Sequence, residues 1–359
     1  MRARRLVLPA AFAMMTAVLL LTRMPVAGQS NTAAPKATAA AGTYKAPRTA
    51  DGHPDFNGIW ANNSATPLER LPEFKGRAML TDEEVARLQR KAREIFSSGA
   101  DAAFGDDFFK AAIADDKDKA SDRSSRSFDQ VTGNYSAVWL VEREFDRRTS
   151  LITDPPDGRM PPMTPAAQKA FTTDLGAALT GRADGPEDRP LSERCITFGI
   201  PDTLAGYNSY YRFVQSKSAI AINTERIHDT RIIRMDGTPH VAKNVKLWLG
   251  DSRGRWEGDT LVVDTTNFAP GSGIRGSDEN LHLTERFTRV SPTKINYEFT
   301  IDDPTVWTKP WTAMIPLSQS KDEIYEYACH EGNYALPGVL GGARVKEKGV
   351  KTSTTSSKQ

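Results

Sequence analysis

The sequence predicts a mainly β protein with some α elements (α+β class), in which an antiparallel β-barrel or sandwich follows a mixed helical N-terminal region. Short runs of alternating polar and apolar residues recur between residues 207 and 328, and turn signals separate them at hairpin spacing. No long helical pattern lies between these runs, which is typical of antiparallel rather than parallel sheets. A barrel of about eight strands has room for one small ligand. The runs cover residues 210–215, 219–224, 227–235, 245–249, 255–257, 261–267, 281–290, 294–301, 311–317 and 324–328.

Composition excludes several classes of protein. The chain has 359 residues, with 47 Lys and Arg against 45 Asp and Glu, so its formal net charge is only +2. This balance excludes a highly charged nucleic-acid-binding tail, and two cysteines are too few for a disulfide-dense mini-protein. We therefore expect a globular protein with no nucleic-acid partner.

Residues 1–28 have the pattern of a secretory signal peptide. Three arginines stand within the first five residues, an apolar stretch covers 6–21, and small residues lead to Gly28. A membrane anchor is the alternative, but Pro9 interrupts the stretch and Arg23 soon follows it. We expect leader cleavage, no stable membrane insertion afterwards, and a periplasmic or secreted protein.

The remaining chain divides by composition into four parts. Residues 29–50 are rich in Ala, Thr and Pro and are predicted to be a disordered linker. Residues 51–190 form a mixed helix and hairpin region packed on the barrel, and 191–342 form the β-rich domain. Residues 343–359 are predicted to be a disordered tail.

The mixed region opens with one short apolar segment that ends at Trp60. Thr81 supplies an N-cap, followed by an acidic first turn, for a helix running towards Phe96. Thr164 and Pro165 begin another helix, since proline is favoured at the first helical position. The remaining predicted elements are a helix around 106–114, a hairpin formed by 137–141 and 149–153, and the continuation of the last helix to residue 175.

The two cysteines, Cys195 and Cys329, lie far apart in the sequence. In an oxidising compartment such a pair is typical of a disulfide rather than of half a metal site. Two buried free thiols are the alternative.

Four segments resemble those of a large group of uncharacterised exported bacterial proteins. They are PDFNGIW (54–60), GDSRGRWEGD (250–259), LHLTERF (281–287) and YACHEGNY (327–334). The resemblance covers nearly all of the mature chain and implies export, but no activity. The strand pattern is also similar to that of lipocalin-like barrels, by analogy alone.

Glu285 is the first candidate catalytic residue. In a strand, every second side chain faces the same way, so Glu285 shares a face with Leu283 and Phe287. A carboxylate on that apolar face is costly unless it is paired or protonated. It is either a general acid or base, or half of a buried ion pair with Arg231 or with one of two arginines at positions 253 and 255.

His228 is the second candidate, because it can lie beside both Asp229 and Glu225 in a strand with four polar residues in succession. A histidine on a solvent-facing side of the sheet is the alternative. His330 and Glu331 are further candidates at the mouth of the barrel, where a bond from the neighbouring cysteine would hold them. Alternatively, their side chains only satisfy main-chain groups.

Candidate substrate-binding residues lie in the same half of the chain. Arg253 and Arg255 could orient an anionic group, although ion pairs with neighbouring carboxylates are the favoured interpretation. Tyr297 and Trp311 belong to a set of Tyr and Trp residues that suits a cavity with apolar walls and a few polar groups. Filling the core is the default use of such residues.

The sequence offers no motif for a cofactor. It lacks a dinucleotide fingerprint, a phosphate loop and a GxSxG elbow, and its histidines and acids lack the spacing of a known metal motif. We therefore predict no metal and no organic cofactor.

The function predicted from these residues is an exported enzyme that performs acid/base chemistry on a small organic molecule in a barrel pocket. Hydrolysis, elimination or isomerisation fits this inventory better than redox chemistry. The alternatives are a non-catalytic periplasmic carrier for a moderately polar organic ligand and a cell-envelope interaction protein.

Overall fold

A computed structural model of the protein describes residues 44–97, 109, 112–113, 143–179 and 183–356. The predicted signal peptide, most of the predicted linker and the predicted strand 137–141 lie outside these residues. So does most of the predicted helix 106–114, of which residues 109, 112 and 113 are described and are helical.

The described chain contains ten strands and three α-helices longer than one turn. Short 3₁₀ turns cover Pro72–Phe74, Pro186–Asp188 and Arg226–His228. In chain order the elements are β1 (Gly58–Ala61), α1 (Asp82–Ser97), β2 (Ile152–Asp154), α2 (Pro165–Leu179), β3 (Tyr210–Gln215), β4 (Ala219–Thr224), β5 (Thr230–Arg234), β6 (Asp251–Glu257), β7 (Thr260–Thr266), β8 (His282–Ser291), β9 (Lys294–Asp302), β10 (Trp311–Ser320) and α3 (Ala335–Ser356).

Nine of these strands close into a barrel, which confirms the predicted barrel. Strands β3 to β10 pair in chain order, and β1 closes the ring because it pairs with both β3 and β10. The short strand β2 lies outside the ring and pairs with the beginning of β10. Every pairing is antiparallel except β5 with β6, which run parallel because residues 235–250 carry the chain back along the barrel.

The barrel interior is filled by the alternating residues of its strands. Leu283, Glu285 and Phe287 of β8 are each at most 2% exposed, so the predicted alternation of this strand is confirmed. In β9, Tyr297 and Phe299 face the same interior, and their neighbours along the strand are half-buried. A ring stack between Phe287 and Tyr297, with centroids 4.5 Å apart, joins the two strands.

The N-terminal region packs a smaller core of its own. The predicted cap of α1 is confirmed, since Thr81 Oγ1 accepts the Glu84 N–H (3.2 Å) and Glu84 Oε2 accepts the Thr81 N–H (2.8 Å). Thr164 Oγ1 likewise accepts the Ala167 N–H at the start of α2. The smaller core consists of Ala65, Phe74, Leu80, Leu88, Ala92, Phe109, Ala112 and Phe145.

Several predicted strands are absent or shorter in the structure. Residues 245–249 and 324–328 form no strand, and β5 begins at Thr230 rather than at Ile227. Ile227 and His228 have positive φ angles of 56° and 53°, which a strand does not contain. These residues form a tight turn between β4 and β5 instead.

The C-terminal tail also differs from the prediction. We predicted no regular structure over 343–359, because this segment is rich in Lys, Ser and Thr. Helix α3 instead covers Ala335–Ser356. Arg344 ties it to an earlier segment by donating hydrogen bonds to the carbonyl oxygens of Ala183 and Asp184, at 2.9 and 3.0 Å.

Cys195 and Cys329 form a disulfide, as predicted. The bond joins the segment before β3 to the segment after β10. It lies at the end of the barrel where β4 turns into β5, because Thr197, close to Cys195, bonds to Asp229 in that turn. We call this end of the barrel the disulfide end.

No helix in the described ranges, from residue 44 to 356 with their gaps, has the length and apolar content needed to cross a membrane.

Removal of the disulfide should destabilise the barrel, because the bond restricts an unfolded chain over a sequence separation of 134 residues. We expect the double substitution Cys195→Ser and Cys329→Ser to lower the free energy of unfolding by about 2–5 kcal/mol. Urea denaturation, with the reduced wild-type protein as control, measures this loss. An unchanged midpoint in the double variant would contradict a structural role for the bond.

Candidate functional site

Glu285 lies inside the barrel and is fully paired. Arg231 of β5 forms a bidentate ion pair with it: Nη2 donates to Oε1 at 2.9 Å and Nη1 donates to Oε2. The Tyr297 hydroxyl donates to Oε1 at 2.7 Å. Burial raises the pKa of Tyr297 well above its ordinary value of 10, so its hydroxyl keeps the proton that it donates. Glu285 was expected to be either a general acid or base or half of a buried ion pair. The structure shows the ion pair, with Arg231 as the partner.

A cavity opens beside this pair at the disulfide end. Its volume is about 30 Å³, which is enough for one or two water molecules. Phe198 lines it and is also 40% exposed, so the wall of the cavity reaches the protein surface there. The lining residues are Phe198, Gly199, Ile200, Asp202, Tyr211, Phe213, Ile222, Thr224, Asp229, Arg231, Leu249, Phe287, Tyr297 and Leu317.

Asp229 is the carboxylate of this cavity that forms no ion pair with a Lys or Arg in the described part of the chain, although His228 is close enough to act on it electrostatically. Its Oδ2 accepts the Thr197 hydroxyl (2.8 Å) and the Phe198 N–H (3.1 Å). Burial nevertheless raises its pKa above the ordinary value of 3.8, because these two hydrogen bonds offset the loss of water only in part. A carboxyl group with a raised pKa takes up a proton at a higher pH than a surface aspartate does, which suits general acid or base chemistry.

The other carboxylate of the cavity, Asp202, is neutralised. It forms a buried ion pair with Arg226, whose side chain is 1% exposed. The Arg226 guanidinium also donates to Ser209 Oγ at 3.0 Å and lies over the Phe198 ring, 4.6 Å from its centroid. This ion pair holds residues 198–202, which line one side of the cavity, in place.

His228 is exposed and lies in the turn between β4 and β5 rather than on a strand. Its Nδ1 is 3.3 Å from the carbonyl oxygen of Tyr327, not bonded to the carboxylate of Asp229 or of Glu225. Glu225 is 2% exposed and accepts the Tyr325 N–H at 3.2 Å, and burial raises its pKa. Of the two predicted carboxylate neighbours, His228 therefore interacts with Asp229, electrostatically and without a hydrogen bond, and its hydrogen-bonding contact is with Tyr327 in the segment that follows β10.

His330 and Glu331 lie on the surface next to the disulfide. The ring of His330 has its centroid 6.4 Å from that of His228, so the structure brings together two of the three predicted catalytic residues. Glu285 belongs to the interior and is not part of this pair.

The remaining predicted binding residues serve other purposes, apart from Tyr297, which lines the cavity. Arg253 pairs with Asp251 (3.0 Å) and Arg255 pairs with Glu257 (2.7 Å), as the favoured interpretation of these arginines stated. Trp311 is fully buried and packs edge-on against Phe299 and Trp307 in the core.

A second titratable cluster joins β6, β7 and β8 to the loop 235–250. His240 of this loop bonds through Nδ1 to Asp251 (2.8 Å) and through Nε2 to Asp264 (2.7 Å). His282 Nε2 lies 2.5 Å from the other oxygen of Asp264. The cluster anchors the loop that supplies Leu249 to the cavity wall.

No local pattern in the sequence marks Asp264 or indicates that Asp229 lines a cavity. The residues of the second cluster come from four separate segments of the chain. The contact of His240 with Asp264 depends on strand pairing, which no local sequence pattern shows. Among the described residues, no group of three or more His, Cys, Asp or Glu side chains is placed to hold a metal ion.

Replacing Glu285 by glutamine should leave the Arg231 charge buried without a counter-ion. We expect Glu285→Gln to lower the free energy of unfolding by about 3–5 kcal/mol, measured by urea denaturation. The matched control, Arg231→Met with Glu285→Met, removes both charges and should cost much less. A loss below about 1 kcal/mol in the single variant would contradict the ion pair.

The cluster around Asp264 should make stability depend on pH. The hydrogen bond with Asp264 raises the pKa of His282 above 6.5, and the same bond lowers the pKa of Asp264 below 3.8. The contribution of His282 is therefore complete below pH 6.5 and is lost as pH rises through its raised pKa. The contribution of Asp264 is complete above pH 3.8 and is lost as pH falls through its lowered pKa.

We expect His282→Gln to lower the melting temperature most between about pH 4 and 6.5, with a difference that shrinks at higher pH. Because His282 is half exposed, the effect should not exceed about 1 kcal/mol. Thermal unfolding from pH 4 to 9 measures it, and His228→Gln is the control, because His228 contacts the Tyr327 carbonyl oxygen and has no hydrogen bond to a carboxylate. A melting-temperature difference between wild type and His282→Gln that grows with pH would contradict the stabilising bond between His282 and Asp264.

Comparison with known proteins found no family model, no curated protein and no solved structure that matches the chain. The functional proposal therefore rests on the residues of the cavity and their surroundings.

Proposed function

We propose that the protein is an exported enzyme that performs acid/base chemistry on a small organic molecule at the disulfide end of the barrel, with Asp229 as the proton-transferring group. One observation carries this proposal. Asp202, which also lines the cavity, and Glu285, beside it, each have an arginine partner, whereas Asp229 lines the cavity without a Lys or Arg partner in the described part of the chain. Perturbed, unpaired carboxylates in clefts are typical of catalytic sites.

The proposed chemistry uses the two oxygens of Asp229 differently. Oδ2 is held by Thr197 and by the Phe198 N–H, which fixes the orientation of the carboxylate. Oδ1 accepts no hydrogen bond from the described residues and is the atom that takes the substrate's proton and later returns it. A proton transfer of this kind serves a hydrolysis, an elimination or an isomerisation, and none of these requires an organic cofactor.

Glu285 has a positioning role in this proposal rather than a catalytic one. It fixes Arg231 and Tyr297, both of which line the cavity, so that their polar groups stay in place when a substrate arrives. His228 and His330 lie outside the cavity on the exposed side, where they can pass protons between Asp229 and water.

An enzyme fits the cavity better than a carrier does. A carrier buries most of its ligand, and sites of that kind enclose hundreds of Å³. A cavity of about 30 Å³ admits the reacting end of a molecule, while the rest of that molecule lies at the opening beside Phe198. The disulfide supports export, because such bonds persist in oxidising compartments.

We expect Asp229→Asn to abolish turnover while the fold survives, because the amide keeps an acceptor for Thr197 but cannot take up a proton. The mature protein and the variant are each incubated with an extract of small metabolites, and mass spectrometry follows which compounds disappear and which appear. At least one conversion should occur with the wild-type protein and fall by about 100-fold or more in the variant.

The matched control is Asp236→Asn, which changes an exposed aspartate in the turn after β5. Identical product profiles for the wild-type protein and Asp229→Asn would refute the proposed role of Asp229. Depletion of a compound without any product, equal in both proteins, would identify a carrier instead.

A further inference from the structure

We propose that the molecule recognised at this cavity carries a positive charge, and that it is a small organic amine bound through its ammonium group to Asp229. This inference rests on the proposed function and names the substrate class of the same site. It follows from the charges, the walls and the hydrogen bonds of the cavity.

The two ion pairs at the cavity leave the carboxylate of Asp229 without a Lys or Arg partner among the described residues. Arg231 is neutralised by Glu285, and Arg226 is neutralised by Asp202; all four side chains are at most 8% exposed. Asp229 forms no ion pair with any Lys or Arg of the described residues. His228 acts on Asp229 electrostatically without forming an ion pair with it. A half-buried carboxylate that no Lys or Arg neutralises favours a cation, because a neutral or anionic ligand offers it no opposite charge.

The walls of the cavity suit a cation as well. Five of its lining residues are aromatic, and the faces of such rings attract an ammonium group. They are Phe198, Tyr211, Phe213, Phe287 and Tyr297. An inorganic cation would prefer several oxygen ligands, whereas an organic amine uses one carboxylate together with aromatic and apolar walls.

The hydrogen bonds of Asp229 leave an acceptor for the ligand. Within the described residues, its carboxylate accepts hydrogen bonds from the Thr197 hydroxyl and the Phe198 N–H, and both go to Oδ2. An ammonium group has three donors, one of which can bond to Oδ1. The volume of about 30 Å³ suits a head group of this size, and a bulkier substituent would lie against the exposed Phe198 ring.

The test compares three probes of similar shape and different charge: benzylamine, benzyl alcohol and benzoate. Dissociation constants are measured by NMR chemical-shift titration of the mature, oxidised protein at pH 8, where an alkyl amine is protonated. We expect benzylamine to bind about tenfold or more tightly than either other probe. Asp229→Asn should abolish this preference, and Asp236→Asn should retain it.

Each other outcome would overturn the inference. Equal or tighter binding of benzyl alcohol or benzoate would show that the cavity does not select a cation. A preference for benzylamine that persists in Asp229→Asn would place the recognising charge elsewhere, and no binding of any probe would mean that the cavity does not accept an amine of this shape. The wild-type comparison remains decisive if the variant does not fold.

Failure of this inference is distinguishable from failure of the proposed function. The metabolite conversion described above depends on Asp229 whatever the charge of its substrate. A conversion that Asp229→Asn abolishes, together with no amine preference, would leave the enzyme proposal intact and change only the substrate class.

Discussion

Arg231 and Glu285 meet inside the barrel, where neither charge has access to bulk water, and the geometry of the interior depends on their pairing. Each charge alone would cost several kcal/mol to bury, so the strands that carry them must hold the two side chains together. Tyr297 adds a third group to the same contact. Aromatic and aliphatic side chains fill the space around it, and a small cavity lies beside it at the disulfide end.

The same pairing determines which group is available for chemistry. A bidentate carboxylate that also accepts a tyrosine hydroxyl has little freedom to exchange a proton, so Glu285 is suited to holding its neighbours in place. Asp229 differs because its bonds come only from neutral donors. The disulfide and the Arg226–Asp202 ion pair hold residues 198–202 against the cavity, next to the carboxylate of Asp229.

The sequence allowed prediction of an antiparallel barrel or sandwich, the disulfide and the inward direction of Glu285, because alternation along a strand and the pattern of a signal peptide are both local features of a sequence. It did not allow prediction of the turn at Ile227 and His228, since positive φ angles at a β-branched residue and its neighbour oppose local preference. The contacts of His240 with Asp251 and Asp264 arise from strand pairing and a long loop, neither of which is visible in the sequence of any one segment.

The central claim is that Asp229 is an ionisable carboxylate that burial disfavours in its charged form. No described Lys or Arg forms an ion pair with it, and His228 acts on it only electrostatically. The most direct test is a ¹³C NMR titration of the carboxyl group of Asp229 in the ligand-free, oxidised protein, with Asp229→Asn used to assign the signal. We predict a pKa above the ordinary value of 3.8. A pKa at or below that value would show that the charge is already compensated, and would contradict both its catalytic role and its selection of a cation.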